Sequence, residues 1–467
     1  MLQRFIRLAC LGLCLAGCTA PKPFDDQMLA EAAAQQQQAL AERMATLSGP
    51  VTLAEALAFS LDNNLEFRLH AYDSALATGN RKLATMSMLP TLTTRAGYRN
   101  RSNVQASVSE SVDTGQVSLA ASTSSDKEGS SHDLELGWNA LDFGLAWFRA
   151  REFGEQALIA EEERRRVSYQ LAMDLISAWD KAAAFKLVAE DLQQSRELLD
   201  QALTLSDAIY QQRLRDQVEI IEYRKALLLI LRRINQLTQQ MKQAEDELTR
   251  LMGLPAGTKL DLDITESDVA MLSLAPEISL PALQWVALLH RPEMHQALYT
   301  ERSARRDTLR RTVETFPSLL FSYGMHYDSN SFMVNNRWRD TGVSMSLNLI
   351  KLASLPTQRR LGKLNEQAAS ARVELQATAI LSQVAIAEKI WRGARFDACL
   401  SNDLARLDKS RLVLLDARAQ AAALDRLTVI RSRVDNLLFR IEAALARAEM
   451  RRAGMMLAMS LGIGAIP

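Results

Sequence analysis

The sequence predicts a mainly α-helical protein built from long coiled-coil helices, with a minority of β-strands and an internal tandem repeat. Three observations carry this expectation: the placement of proline and glycine, a 3.5-residue apolar period, and a match between the two halves of the 467-residue chain. No proline lies between Pro90 and Pro255 or between Pro356 and Pro467, and no glycine between Gly154 and Gly253. Inside a helix, proline costs about 3 kcal/mol and glycine about 1 kcal/mol relative to alanine. A run of about a hundred residues without either breaker therefore permits very long helices.

The first residues stand apart from that pattern. Arg4 and Arg7 precede a short apolar run, Leu8 to Ala16, well below the roughly 20 residues that span a bilayer as a helix. This reads as a secretory signal peptide over residues 1–17. It ends in Leu15-Ala16-Gly17-Cys18, which resembles the lipobox of bacterial lipoproteins. The resemblance implies that Cys18 is lipid-modified and becomes the mature N-terminus, followed by an anchored linker over 18–50. Thr19 after the cysteine favours the outer membrane as destination. Cys10 and Cys14 leave with the signal, so only Cys399 remains and no intrachain disulfide is available. Cys399, in a helical pattern, is expected as a small buried apolar residue.

The long helices show their packing in the sequence. Ile220, Tyr223, Leu227, Ile230, Ile234, Leu237, Met241, Ala244, Leu248 and Leu251 step by three and four in alternation, and so do Leu427, Ile430, Val434, Leu437, Ile441, Ala444 and Ala448. A 3.5-residue repeat imposes left-handed supercoiling, so these are coiled-coil seams.

Strand signals follow Pro90 and Pro317. Thr91–Tyr98 and Leu319–Tyr327 are rich in Thr, Ser, Tyr and Phe with partial two-residue alternation. Second strands are expected at His132–Leu141 and Thr341–Ile350. The polar run Ser122–Ser131 suits an exposed loop.

Sliding the sequence by 227 positions pairs Leu53 with Leu280, Glu66 with Glu293, Tyr72 with Tyr299, Pro90 with Pro317 and Gly97 with Gly324. Later the offset shrinks to 209, pairing Asp207 with Asp416, Asp216 with Asp425 and Arg224 with Arg433. Two repeats are expected, 51–255 and 278–467, joined by a linker over 256–277. Four strands cannot close a barrel wide enough to enclose anything, and a bilayer forbids open sheet edges. Pooling strands between copies removes the edges, and three chains would give twelve strands.

Several motifs resemble one family. Ala56-Leu57 through Asn63-Asn64-Leu65-Glu66 resembles the opening helix of TolC-like outer-membrane efflux proteins, and Arg291-Pro292-Glu293-Met294 its second copy. Leu89-Pro90-Thr91-Leu92 and Phe316-Pro317-Ser318-Leu319 resemble the helix-to-strand passages, and Leu141-Asp142-Phe143-Gly144 the return. Leu251-Met252-Gly253-Leu254-Pro255 and Leu461-Gly462-Ile463 resemble the ends of the two helical hairpins, so the resemblance covers residues 51–463. It implies a homotrimer with a shared twelve-stranded membrane β-barrel and a coiled-coil α-barrel crossing the periplasm. Its partners would be a periplasmic adaptor, an inner-membrane pump and outer-membrane lipid. The implied role is the exit duct of a tripartite efflux or type I secretion system. A lipid-anchored periplasmic coiled-coil scaffold or adaptor is the alternative, although neither accounts for two strand pairs and two hairpins.

By the repeat, the hairpin tips fall at Tyr210–Asp216 and Gln420–Asp425. Asp207, Arg213, Leu214, Arg215, Asp216, Asp416, Ala422 and Asp425 are the candidate gate and adaptor-contact residues. The family's usual tip glycines are replaced by Arg213 and Ala422. Asp207 and Asp416 lie about two turns before the tips, where inward-facing acids in a trimer would select cations. The competing reading is a solvated helix face.

An enzyme finds little support. His70, His132, His290, His295 and His326 are scattered, and no His-Glu-x-x-His, Cys-pair or phosphate-loop pattern is present, so no cofactor is expected. Trp179 and Trp391 read as packing anchors. Lys+Arg and Asp+Glu both total 55, leaving no overall field for nucleic acid.

Overall fold

A computed structural model describes residues 24–45, 47, 49–212, 216–255, 257–264, 279–420 and 426–463. After α1 (Asp26–Ala45) come α2 (Leu53–Asn63), α3 (Leu65–Met86), β1 (Thr91–Asn100), β2 (Glu128–Asn139), α4 (Ala140–Gln211) and α5 (Gln217–Leu251). The same order returns in α6 (Leu280–His290), α7 (Pro292–Val313), β3 (Ser318–Asp328), β4 (Arg337–Ser346), the short α8 (Leu349–Ala353), α9 (Leu355–Gln420) and α10 (Arg426–Ser460). α4, of 72 residues, draws most of its length from the run without either breaker, and α9, of 66, from the proline-free stretch after Pro356. No described helix is long and apolar enough to cross a membrane.

All four strands form one antiparallel sheet in the order β1-β2-β3-β4. The helices continue that layer. Beside the sheet the packing order is α3, α4, α7, α9; farther along it is α5, α4, α10, α9. At every level, therefore, one edge comes from the first half (α3, β1, α5) and the other from the second (α9, β4).

Both seams are where the apolar spacing placed them. Leu227, Ile234 and Leu237 of α5 pack with Phe185, Leu192 and Leu199 of α4 and with Ile430, Val434 and Ile441 of α10. Trp179, Leu175, Leu248 and Met252 form a second core that receives Ala56 and Val51. Val51 is held there by backbone hydrogen bonds with Asp261 and Asp263. Trp391 is half-buried against a third core, which joins α6, α9 and α10 through Ala287, Ile380 and Leu457.

The two hairpins end alike. Gly253 and Gly462 have φ of 72° and 71°, in the left-handed region that favours glycine. Each sits against the break between a pair of short helices. A Cβ on Gly253 would lie 3.0 Å from Asn63 O, and one on Gly462 2.7 Å from the His290 backbone. Ser60 Oγ and Asn64 Nδ2 also donate to Leu251 O, fastening the first break to the end of α5.

Buried polar contacts also tie the helices of the layer together. Glu155 of α4 is 4% exposed and accepts two hydrogen bonds from Arg302, at 3.0 and 2.6 Å, and one from Arg306, both on α7. Nearby, Arg166 and Gln296 bind Glu163, and the Arg166 hydrogen bonds hold its carboxyl down to about 2. Asp180 and Arg451 pair at 3.1 Å between α4 and α10, both nearly buried.

Three expectations need correction. β2 starts at Glu128, inside the run expected as loop, and stops at Asn139, whose side chain accepts from Leu141 N and Asp142 N and so starts α4. β4 runs from Arg337 to Ser346, because Asn348 caps α8 and draws Leu349 and Ile350 into a helix. Cys399 is exposed; its neighbour Ala398 occupies the buried position of α9.

Candidate functional site

The sheet has two chemically different faces. Pairing puts Leu136 opposite Leu92 and Tyr323, Leu134 opposite Thr94 and Met325, and Phe321 between Trp138 and Val343. Side chains alternate along a strand, so these residues share one apolar face. Arg95, Asp133, Glu135, Ser322, Gly324, His326, Gly342 and Asp340 occupy the other. Both faces are accessible to solvent in the protomer.

Aromatic rows mark the two ends of the apolar face. Near the helices, Trp138 is tilted on Phe321 at 5.8 Å and on Phe143 at 5.6 Å. At the far end His132 stacks on Tyr327 at 5.8 Å. From His132 to Trp138 the strand advances six residues, or about 20 Å at roughly 3.3 Å each. A membrane barrel carries an apolar band about 25 Å tall between aromatic girdles.

On the polar face, His326 Nδ1 lies 2.7 Å from Asp133 Oδ1 and Nε2 3.3 Å from Asp340 Oδ1, while the ring stacks on Trp338 at 5.1 Å. The imidazole reaches both carboxylates by lying across Gly324, where a Cβ would stand 2.3 Å from Nε2. This cluster joins β2, β3 and β4. Sequence reasoning missed it, because partners 193 and 14 residues away from His326 leave no local trace. No group of side chains among the described residues could hold a metal ion.

The hairpins end where the repeat placed them, after Gln211 and Gln420. Asp207 and Asp416 lie about one turn from those ends, closer than expected, since a turn holds 3.6 residues. Each has a cation of its own hairpin: Asp207 pairs with Arg224, and Asp416 with Arg433, both at 3.0 Å. The same 17-residue spacing in both hairpins was a readable signal for these pairs. Arg224 also lies over the Tyr210 ring at 5.6 Å. Asp216 caps α5, its Oδ1 accepting from Val218 N at 2.7 Å and Glu219 N at 3.2 Å. Cys18, Arg213, Leu214, Arg215, Ala422 and Asp425 lie outside the described residues.

The sequence matches no protein-family model and no curated protein. Solved structures do match. The outer-membrane channel OprN superposes with a TM-score of 0.69 at 18% identity, covering 88% of this chain and 90% of its own. The Neisseria gonorrhoeae outer-membrane channel MtrE, in its open state, gives 0.67 at 16% identity, covering 88% and 89%. The Campylobacter jejuni outer-membrane channel CmeC gives 0.66 at 12%, covering 88% and 86%. This chain has the outer-membrane channel fold.

Proposed function

We propose that the protein is the outer-membrane exit duct of a tripartite efflux or type I secretion system, acting as a homotrimer. The single observation that carries this reading is the two-faced sheet with open edges at β1 and β4. A membrane-embedded sheet leaves no edge unpaired, and joining β4 of one copy to β1 of the next closes a twelve-stranded barrel. The apolar face then meets lipid, and the polar face, with His326 and its carboxylates, lines the pore.

The helical edges support the same ring. Leu65, Leu69, Tyr72, Leu76, Leu83 and Met86 form an exposed apolar stripe on α3. On the opposite edge, Leu364, Leu375, Ile386, Leu400, Leu407 and Leu414 repeat along α9 at whole numbers of turns and are also exposed. Stripes of this kind are seams awaiting partner helices. Because they lie on different edges, they pair head to tail, which generates a closed ring rather than a twofold dimer. A coiled-coil scaffold would have no use for the sheet, and an adaptor would carry one hairpin rather than two.

In this reading the tunnel is passive. Energy comes from an inner-membrane pump through a periplasmic adaptor that docks at the tips around Arg213, Leu214, Arg215, Asp216, Ala422 and Asp425. Acylated Cys18 holds the N-terminus at the outer membrane.

Native mass spectrometry of the detergent-purified protein is expected to give a trimer. Leu375→Asp with Leu407→Asp, at positions exposed in the protomer, should shift it to monomer while retaining helical circular dichroism. A wild-type monomer that keeps its strand signal would defeat the ring. For the entrance, Asp207→Asn with Asp416→Asn removes up to six carboxylates at one depth and should reduce cation preference in planar-bilayer recordings at low salt. The difference should fade as screening shortens to about 8 Å at physiological ionic strength. Unchanged selectivity at low salt would return both residues to the solvated helix face.

A further inference from the structure

We propose that the far rim of the sheet's apolar face binds a lipid phosphate of the outer leaflet through Arg337 and Arg339. The inference rests on the reading that this face meets the membrane. Arg337 and Arg339 flank Trp338, so they share the apolar face while Trp338 turns to the pore. Their register is Arg337 opposite Tyr327 and Arg339 opposite Met325. Arg337 is the first residue of β4, at the sheet end remote from the helices.

Cations are costly on a lipid-facing strand at mid-bilayer and tolerated only near its surface. Both arginines are exposed, and neither has an ion pair among the described residues. The one acid on the same face, Glu128, is engaged two strands away by Asn100 Nδ2 at 2.9 Å and by the Tyr98 hydroxyl at 3.5 Å. Among the described residues no carboxylate pairs with either guanidinium, and an anion from the surroundings fits.

Phosphate is the matching anion. Guanidinium groups bind it in a forked, two-point geometry. Alternate residues of a strand stand about 6.6 Å apart, which lets two forks close on one headgroup. Arg337 is steadied over the Tyr327 ring at 5.6 Å, and Tyr327 is stacked on His132. That row gives a flat wall for a sugar ring, whose matching surface a glycerol headgroup lacks. Met325, Leu134 and Val343 continue the face below and would take acyl chains, which a free phosphate lacks. The occupant is therefore a phosphorylated glycolipid, the anionic lipid chemistry of an outer leaflet.

The test titrates full-length protein in neutral detergent with bisphosphorylated lipid A, read by native mass spectrometry. Wild type should retain the lipid, and Arg337→Gln with Arg339→Gln should weaken retention about tenfold. Arg337→Lys with Arg339→Lys, which keeps charge but loses the fork, should fall between. Dephosphorylated lipid A should bind wild type no better than the Gln variant, and millimolar inorganic phosphate should not displace the lipid. Equal retention by wild type and the Gln variant overturns the proposal, as does full displacement by inorganic phosphate. Carbonate extraction of wild-type membranes separates the two levels: protein that washes out defeats the membrane reading itself, whereas protein that stays in with unaltered lipid retention in the Gln variant defeats only the headgroup site.

Discussion

Glu155→Ala is expected to destabilise the protomer by about 1–3 kcal/mol, the range for removing a charge-assisted hydrogen-bond acceptor from partners that keep some access to water. The carboxylate is 4% exposed and is the common acceptor for Arg302 and Arg306. Its removal strands two guanidinium groups against α4. Glu155→Gln retains one acceptor oxygen and should lose less. Thermal unfolding of the detergent-solubilised protein, followed by helical circular dichroism, measures the difference. A melting temperature unchanged by Glu155→Ala would mean that the two arginines find water or another acid, and that the α4–α7 contact is held by packing alone.

The second large effect belongs to Trp179. It is 1% exposed, at the centre of the core formed with Leu175, Leu248, Met252 and Ala56. Truncating a buried tryptophan to alanine costs about 3–5 kcal/mol, combining lost apolar transfer with the cavity left behind. Because this core also holds Val51 and Leu262, Trp179→Ala should open residues 257–264 to protease before the long helices melt. Trp391→Ala is the control: its ring is half-buried and capped by Arg395 at 5.7 Å, so its loss should be the smaller. Equal losses at the two positions would contradict the assignment of Trp179 as the tighter anchor.

Much of the fold was legible because its signals are local. Leu227, Ile234 and Leu237 announced the seam by spacing alone, and the run without Pro or Gly after Gly154 foretold a helix as long as α4. Strand ends were read less well because strand propensity does not register a cap: one asparagine side chain at Asn139 turned Ala140 and Leu141 from strand to helix. Cys399 was misplaced because residue type was weighed without helical phase, and the buried face passes through Ala398. The tip acids were found by the repeat, but their partners were not, although Arg224 and Arg433 had been matched to each other. The Asp133–His326–Asp340 cluster needed strand register, which depends on contacts between distant parts of the chain.

The unbroken run of α4 also makes it a lever. Beyond the Trp179 core the helix continues to Gln211, about 48 Å at 1.5 Å per residue. A rigid tilt of about 5° at that fulcrum displaces the free end by about 4 Å. Asp207 and Arg224 belong to the same hairpin, as do Asp416 and Arg433, so each pair rides on its own arm and is not stretched by the swing. The core shared by α4, α5 and α10 ties the two arms together, so in the proposed ring both hairpins would swing as one unit.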